Sequence, residues 1–205
     1  FAGAVRLGRL QGRVDLEGGV QLPAALADAT LVDCVIGDDV LIARVGSHIA
    51  NYTIADGAVI TDIGTLVTRA DASFGNGVEA ETINEGGGRE VALFAELSSQ
   101  FAYLLAMYRH NAKLTQQLQG MVAEYARQNT HSRGTIGAGA RLAHIGEITD
   151  VQVGPAARII GAARLCNGTI LSEAAAPTHV GAGVSAEDFI LAEGASVKDS
   201  VVLHS

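Results

Sequence analysis

From Ile36 onward the chain returns to an aliphatic residue every six positions. The stretch IGDDVLIARVGSHIANYTIADGAVITDIGTL places Ile36, Ile42, Ile54, Ile60 and Leu66 at that spacing, and only His48 breaks it. A second run starts at Ile136 as IGAGARLAHIGEITD and continues at Val153 as VGPAARIIGAARLCNGTI. The runs match beyond their period, because Ile36-Gly37, Ile42 and Val45-Gly46 recur as Ile136-Gly137, Leu142 and Ile145-Gly146, one hundred positions later. Shorter copies stand at FGNGVEA from Phe74, VGAGVSA from Val180 and LAEGASV from Leu191.

A period of six is neither the period of about 3.6 that marks a helix nor the alternation of a plain strand. It suits short strands joined by turns, with one inward aliphatic per side and glycine at the corners. Repeats of this length are the signature of parallel β-helices. Three hexads make one turn of 18 residues, the distance from Ile36 to Ile54, whereas Ile136 to Val153 is 17, so one corner there is shorter. Stacked turns predict one prism-shaped core holding Ile36, Ile42, Ile54, Ile60, Ile136, Leu142, Val153, Ile159 and Leu165. At His48 a one-residue slip is expected, with Ile49 taking the inward place. The composition agrees: 48% of residues are apolar, but aromatics are 4% and Trp is absent, so the core is narrow and filled by small and β-branched side chains. Handedness does not follow from the period.

Between 89 and 129 the hexads stop. Phe94, Leu97, Phe101, Leu104, Leu105 and Tyr108 recur at helical steps, and Leu114, Leu118, Met121, Val122 and Tyr125 form a second set after RHNAK. Asn111 and its polar neighbours favour a break there. The expected fold is therefore mainly β, a parallel β-helix of hexapeptide repeats with an inserted α-helical hairpin or one long bent helix. Its parts are a first segment of coils over 1–88, the helical insertion over 89–131, and a second, C-terminally truncated segment over 132–205. The apolar stripe of the insertion requires cover from the coils or from another subunit.

A net charge of −8 and a pI near 5.1 disfavour non-specific binding to nucleic acid or to acidic membranes, which needs Lys and Arg to neutralise phosphate, and neither partner is expected. Cys34 and Cys166 stand far apart with no CxxC or Cys/His pairing, and no histidine pair has metal-ligand spacing, so no metal site is expected. No apolar run within these residues suggests a membrane span or a leader, and a cytoplasmic protein with reduced thiols is the expectation.

The hexads resemble the left-handed β-helix of hexapeptide-repeat transferases. The finer pattern FGNGVEA…NEGGGREV, YRHN, GTIG and APTHVGAGVSAEDFI, from about residue 31 to the end, resembles an uncharacterised bacterial family of long hexapeptide-repeat proteins. That resemblance implies a left-handed β-helix and supplies no catalytic roles. The wider superfamily implies acyl, acetyl or succinyl transfer at clefts between the subunits of a trimer, with a His as general base. Fold alone does not fix function.

Candidate site residues are weighed on that basis. The segment NEGGGRE, residues 84–90, lacks the GxxxxGK[ST] pattern of a phosphate cradle, and its acids repel phosphate. At a helix N-terminus Glu90 would be favoured by the dipole. As a hinge the segment is only an exit from the last coil. As a site, Asn84, Glu85 and Arg89 face a ligand and converge with Arg109 or His110 of the insertion. Among the histidines, His110 and His179 lie in the family-like motifs and are the candidate bases, with Glu85 as an acidic partner. His144 takes the place of Arg44 in the matching repeat, which marks an outward position. Arg141 and Arg158 occupy the same place in successive repeats, so stacking puts them on one edge, where they repel unless a carboxylate or a bound anion intervenes.

Two functions from different classes remain. One is an acyltransferase of the hexapeptide type acting on a sugar or other small acceptor, with acyl-CoA as donor and its phosphates on arginine. The other is a non-catalytic scaffold or carbohydrate-binding β-helix. Both expect a homo-oligomer, with a trimer favoured.

Overall fold

The structure, a computed structural model, describes residues 1–82 and 88–205. The chain is mainly β. Among the described residues sixteen strands join in one large sheet, two short antiparallel pairs lie outside it, and there are two α-helices, α1 (Ser99–Met107) and α2 (Ala112–Gln128). Every strand pairing within the large sheet is parallel, and together the pairings form three ladders. The first runs through Ala25, Leu41, Val59, Arg141, Arg158, His179 and Ser196. The second runs through Leu31, Ile49, Leu66, Ile148, Leu165, Ala186 and Val202. The third runs through Leu7, Ile36, Ile54, Ile136, Val153, Ile170 and Leu191.

The inward residues of all three ladders share one core. The nine aliphatics expected there are each 2% exposed or less, and all belong to a single cluster. Ile49 is fully buried and His48 half-buried, so the register slips where the histidine interrupts the hexads. A hydroxyl enters this core: that of Tyr52 donates to the Val151 carbonyl at 2.9 Å, and burial pushes the phenol above its ordinary range.

Corners turn through left-handed backbone. At one corner the φ of Arg44, Asp62 and His144 is 56°, 53° and 56°; at another Asn51, Asp150, Asn167 and Asp188 take the same conformation. Short polar side chains tolerate this region best. Arg44 and His144 tolerate it while pointing outward, as their interchange between repeats predicts. Arg44 pairs with Asp62 at 2.6 Å and holds its carboxyl below the usual range; His144 lies 3.8 Å from the same carboxylate. Glycine is required where rungs touch backbone to backbone: a Cβ on Gly64 would stand 2.1 Å from the Gly146 carbonyl oxygen.

The ladder is contiguous in space but not in sequence. Ile60 pairs directly with Leu142, and Ile54 with Ile136, so residues 68–133 leave and return at one corner without opening the stack. The chain departs after Val67, where its strand ends, rather than at Glu85. FGNGVEA consequently forms no rung, which corrects the repeat expected there. Residues 69–76 instead form a strap laid along the corner. The Arg69 amide and Nε each donate to the Asp150 carboxylate at 2.7 Å, the Gly75 amide to Asn167 Oδ1 at 2.9 Å, and the Thr169 hydroxyl to the Phe74 carbonyl at 2.7 Å.

The insertion also begins differently from its helical spacing. Val91–Ala92 pairs antiparallel with Glu79–Ala80, and α1 starts only at Ser99, with Ser98 capping the Phe101 amide. Phe94 packs edge-on against Phe101 and Tyr125, with centroids 5.2 and 5.4 Å apart, so it supplies the apolar spacing from a turn. Glu90 therefore does not meet a helix N-terminus. The break falls at Tyr108–Asn111, where Asn111 caps α2 by accepting from the Leu114 amide, and the hairpin rather than the single bent helix is what forms. Val91, Leu105 and Ala106 are its buried centre, with Leu97, Phe101, Ala102 and Leu118 against them.

Candidate ligand-binding site

The first ladder changes character along its outer surface. At its early rungs the outward residues are Leu41 and Val59, covered by Val14 of the antiparallel pair Arg13–Asp15 and Gln21–Pro23 and by Leu16 in the loop that joins the two strands. Beyond that cover the outward residues are Arg141, Arg158 and His179 on consecutive rungs. Adjacent parallel strands lie about 4.8 Å apart, so the three side chains rise within about 10 Å of edge. Arg141 is half-buried, Arg158 and His179 are exposed, and Lys198 stands opposite Gly181 on the next rung. Among the described residues none of Arg141, Arg158, Lys198 and the His179 ring has a carboxylate within 4 Å, whereas Arg44, Arg69, Arg109, Arg127 and Arg164 all do. Two unpaired guanidiniums at strand spacing have the chemistry of an anion site, since a phosphate or carboxylate bridging them removes their repulsion.

The ladder thus brings together three of the residues expected to matter. Arg141 and Arg158 stand side by side as their 17-residue offset predicts. His179 joins them although its offset from Arg158 is 21, because the longer corner at 171–178 is absorbed outside the register. Lys198 was not foreseen, since no shared motif marks its place.

The second predicted group lies at the helical hairpin. Arg109 is half-buried; it donates to the Glu90 backbone carbonyl, and its Nη1 lies 3.5 Å from the Glu90 carboxylate. Glu90 is held below the usual carboxyl range, first by its own and the Gly88 backbone N–H groups and then by Arg109. Arg89 reaches the Met107 sulfur at 3.8 Å, and His110 is exposed beside the Tyr108 ring, 5.7 Å between centroids. Arg109 therefore works as a clamp between the α1–α2 turn and the segment that enters the insertion. Asn84 and Glu85 lie outside the described residues. Among the described residues no hydrogen bond, ion pair or ring contact links this group to the Arg141–Arg158–His179 row.

A third polar region, unread in the sequence, is the corner beneath the strap. A cavity of about 450 Å³ there is lined by Arg69, Asp150, Cys166, Asn167, Glu187 and Asp188 among others. Apart from the exposed Asp71, its charges are engaged: Arg69 holds Asp150, Arg164 lies 2.8 Å from Glu187, and the Asn167 amide donates to Asp188. Burial pushes the Cys166 thiol up, against the opposing pull of Arg164. With its ion pairs closed, this corner is a joint, and the open cationic row is the stronger candidate for a ligand.

The fold and site thus define a mainly β protein with a large parallel sheet and a cationic outer edge. Residues 1–205 match the model of a family described as "Domain of unknown function (DUF4954)", and the chain belongs to that family. It is similar to a protein of Treponema pallidum (strain Nichols) that bears the name "Uncharacterized protein", with 28% identity over 208 residues, covering 96% of this chain and 29% of that protein. The chain therefore spans less than a third of the length of that relative. No solved structure matches. Among the described residues no helix is long and apolar enough to cross a membrane.

Proposed function

We propose that the three ladders are the faces of a left-handed β-helix of the hexapeptide-repeat type, and that its cationic edge binds an anionic small molecule, with acyl-CoA as the donor in a transferase-like reaction. The six-residue period, rung offsets of 17 and 18, and one shared aliphatic core support the first part. The second rests on one observation, the unpaired guanidiniums of Arg141 and Arg158 on adjacent rungs with His179 on the next. In such a reaction the arginines hold donor phosphates. His179 takes the proton of an acceptor hydroxyl as that oxygen attacks the thioester carbonyl, and the departing thiolate takes the proton back.

A second reading has its own support. A general base needs a group that orients it, and among the described residues His179 has no carboxylate within ion-pair distance. That favours a non-catalytic binding surface for a phosphorylated or sugar-nucleotide ligand. Calorimetry with CoA and with a sugar nucleotide, paired with an assay for acyl-CoA consumption, separates the two. Saturable binding that Arg158→Ala weakens about tenfold or more, as expected for a lost charge-assisted bond, supports the site. Turnover abolished by His179→Ala assigns the transferase, and binding without turnover assigns the scaffold. No binding of either ligand overturns both.

A further inference from the structure

The corner between the third ladder and the first takes four residues at 37–40, 55–58, 137–140, 154–157 and 192–195, and eight at 171–178. The longer loop is not slack. Thr178 is fully buried, and its hydroxyl lies 2.6 Å from the Leu171 carbonyl and 3.1 Å from the Ala192 carbonyl, which ties the two ends of the loop to each other and to the next rung. Ser172, itself buried, accepts from the Thr178 amide at 3.0 Å, and Glu173 and Ala176 exchange backbone bonds across the tip. The loop is therefore a fixed wall, and it occurs at one rung of the stack.

Beside it a cavity of about 330 Å³ opens on the outer surface of the third ladder. Thr135 and Gln152 line it from adjacent rungs, where Ile136 pairs with Val153, while Gly137, Gly154 and Pro155 keep long side chains out of it. Ser172 and Glu173 line it from the loop, and Glu193 from the next rung. Among the described residues the side chains of Thr135, Gln152, Glu173 and Glu193 make no hydrogen bond or ion pair, and no Lys, Arg or His lines the cavity. Its chemistry is thus the reverse of the cationic edge. A carboxylate only accepts hydrogen bonds, whereas a hydroxyl or a side-chain amide both donates and accepts. The ligand that matches this set is rich in O–H donors, carries acceptors as well, and has no negative charge. Both carboxylates are exposed, where an ion pair with an amine gains little, so hydrogen bonding rather than charge does the selecting.

We infer that this cavity is a saccharide site, which takes a neutral sugar with hydroxyls donating to Glu173 and Glu193 and with further hydroxyls on Thr135 and Gln152. Hydrogen bonds to the two carboxylates are the stronger ones, because the acceptor is charged. The site needs neither the Arg141–Arg158 edge nor an acyl donor, so this inference and the reading of that edge stand or fall separately.

The test exposes the full chain to an array of neutral glycans and titrates the strongest binder by calorimetry. Saturable binding is expected, and added salt should change it less than twofold, since screening acts on charge pairs and not on a neutral ligand. Gln152→Ala and Glu173→Gln are each expected to weaken it about tenfold, the loss of one good hydrogen bond or of its charge. Both side chains lie outside the core, so the melting temperature of each variant should match that of the unmodified chain. Arg158→Ala should leave the affinity for the sugar unchanged. The inference is overturned by an array without a neutral binder, by binding that survives both Gln152→Ala and Glu173→Gln, or by spermidine binding more tightly than any sugar. Binding lost in Arg158→Ala also overturns it, because that result moves the ligand to the cationic edge.

Discussion

The stacked rungs and the helical hairpin are built by opposite means. In the stack inward aliphatics answer one another from rung to rung, so Ile42, Ile60, Leu142, Ile159 and Val180 form one continuous file, while the inward rings of Tyr52 and Phe189 lie over Gly134 and Gly168. In the hairpin only Leu105, Ala106 and Val122 are buried within the two helices, while Tyr103, Met107, Tyr108 and Met121 are each at least 40% exposed. Repetition makes each rung a template for the next. The hairpin has no such neighbour and depends on a few anchoring contacts, which puts it among the elements that open locally before the whole molecule unfolds.

The largest expected effect is in the stack. Ile60→Ala removes a fully buried side chain between Ile42 and Leu142 and should lower global stability by about 2–5 kcal/mol; an unchanged denaturation midpoint would show that the file is not cooperative. A smaller effect is expected at the joint. Asp150→Asn keeps the shape of the buried acceptor but loses its charge-assisted bonds to Arg69, at a cost of about 1–3 kcal/mol. Hydrogen exchange should quicken over 69–76 first, and equal quickening across the rungs would mean that the strap and stack are one unit. The smallest lies in the hairpin, where Val122→Ala removes two methyl groups, worth about 1.6 kcal/mol at most. Exchange should rise in α2 while the rungs keep their protection. If the midpoint of the whole chain falls instead, the contrast between the two regions fails.

What was legible in the sequence follows from the same contrast. The rungs could be read because each inward place demands the same kind of residue, and the slip at His48 was visible because Ile49 stood next to it. The false copy at Phe74 arose because glycine and a β-former at hexad spacing also describe a strap: Phe74 has φ 54° and is fully buried, but it docks on Thr169 and is not part of a ladder. The helix start was set too early because Phe94 and Leu97 keep helical spacing while packing from a turn. For the candidate site, Arg141 and Arg158 were paired by their offset alone. The Arg69–Asp150 joint was hidden, since 81 positions separate the partners and no periodicity connects them.

The register jump from Ile60 to Leu142 bears on how the chain finds its fold. Ordinary neighbouring rungs close loops of about 17 residues, whereas this pair must close one of 82. Loop entropy grows only with the logarithm of length, so the longer closure adds about 1.4 kcal/mol. That is less than one buried isoleucine contributes. The penalty falls chiefly on kinetics: the rungs before and after the insertion can each zip locally, and their meeting, which no adjacent turn guides, becomes the slow step. A repeating scaffold of this kind can therefore host a guest segment between two rungs at little thermodynamic expense, with delay in assembly as its main consequence.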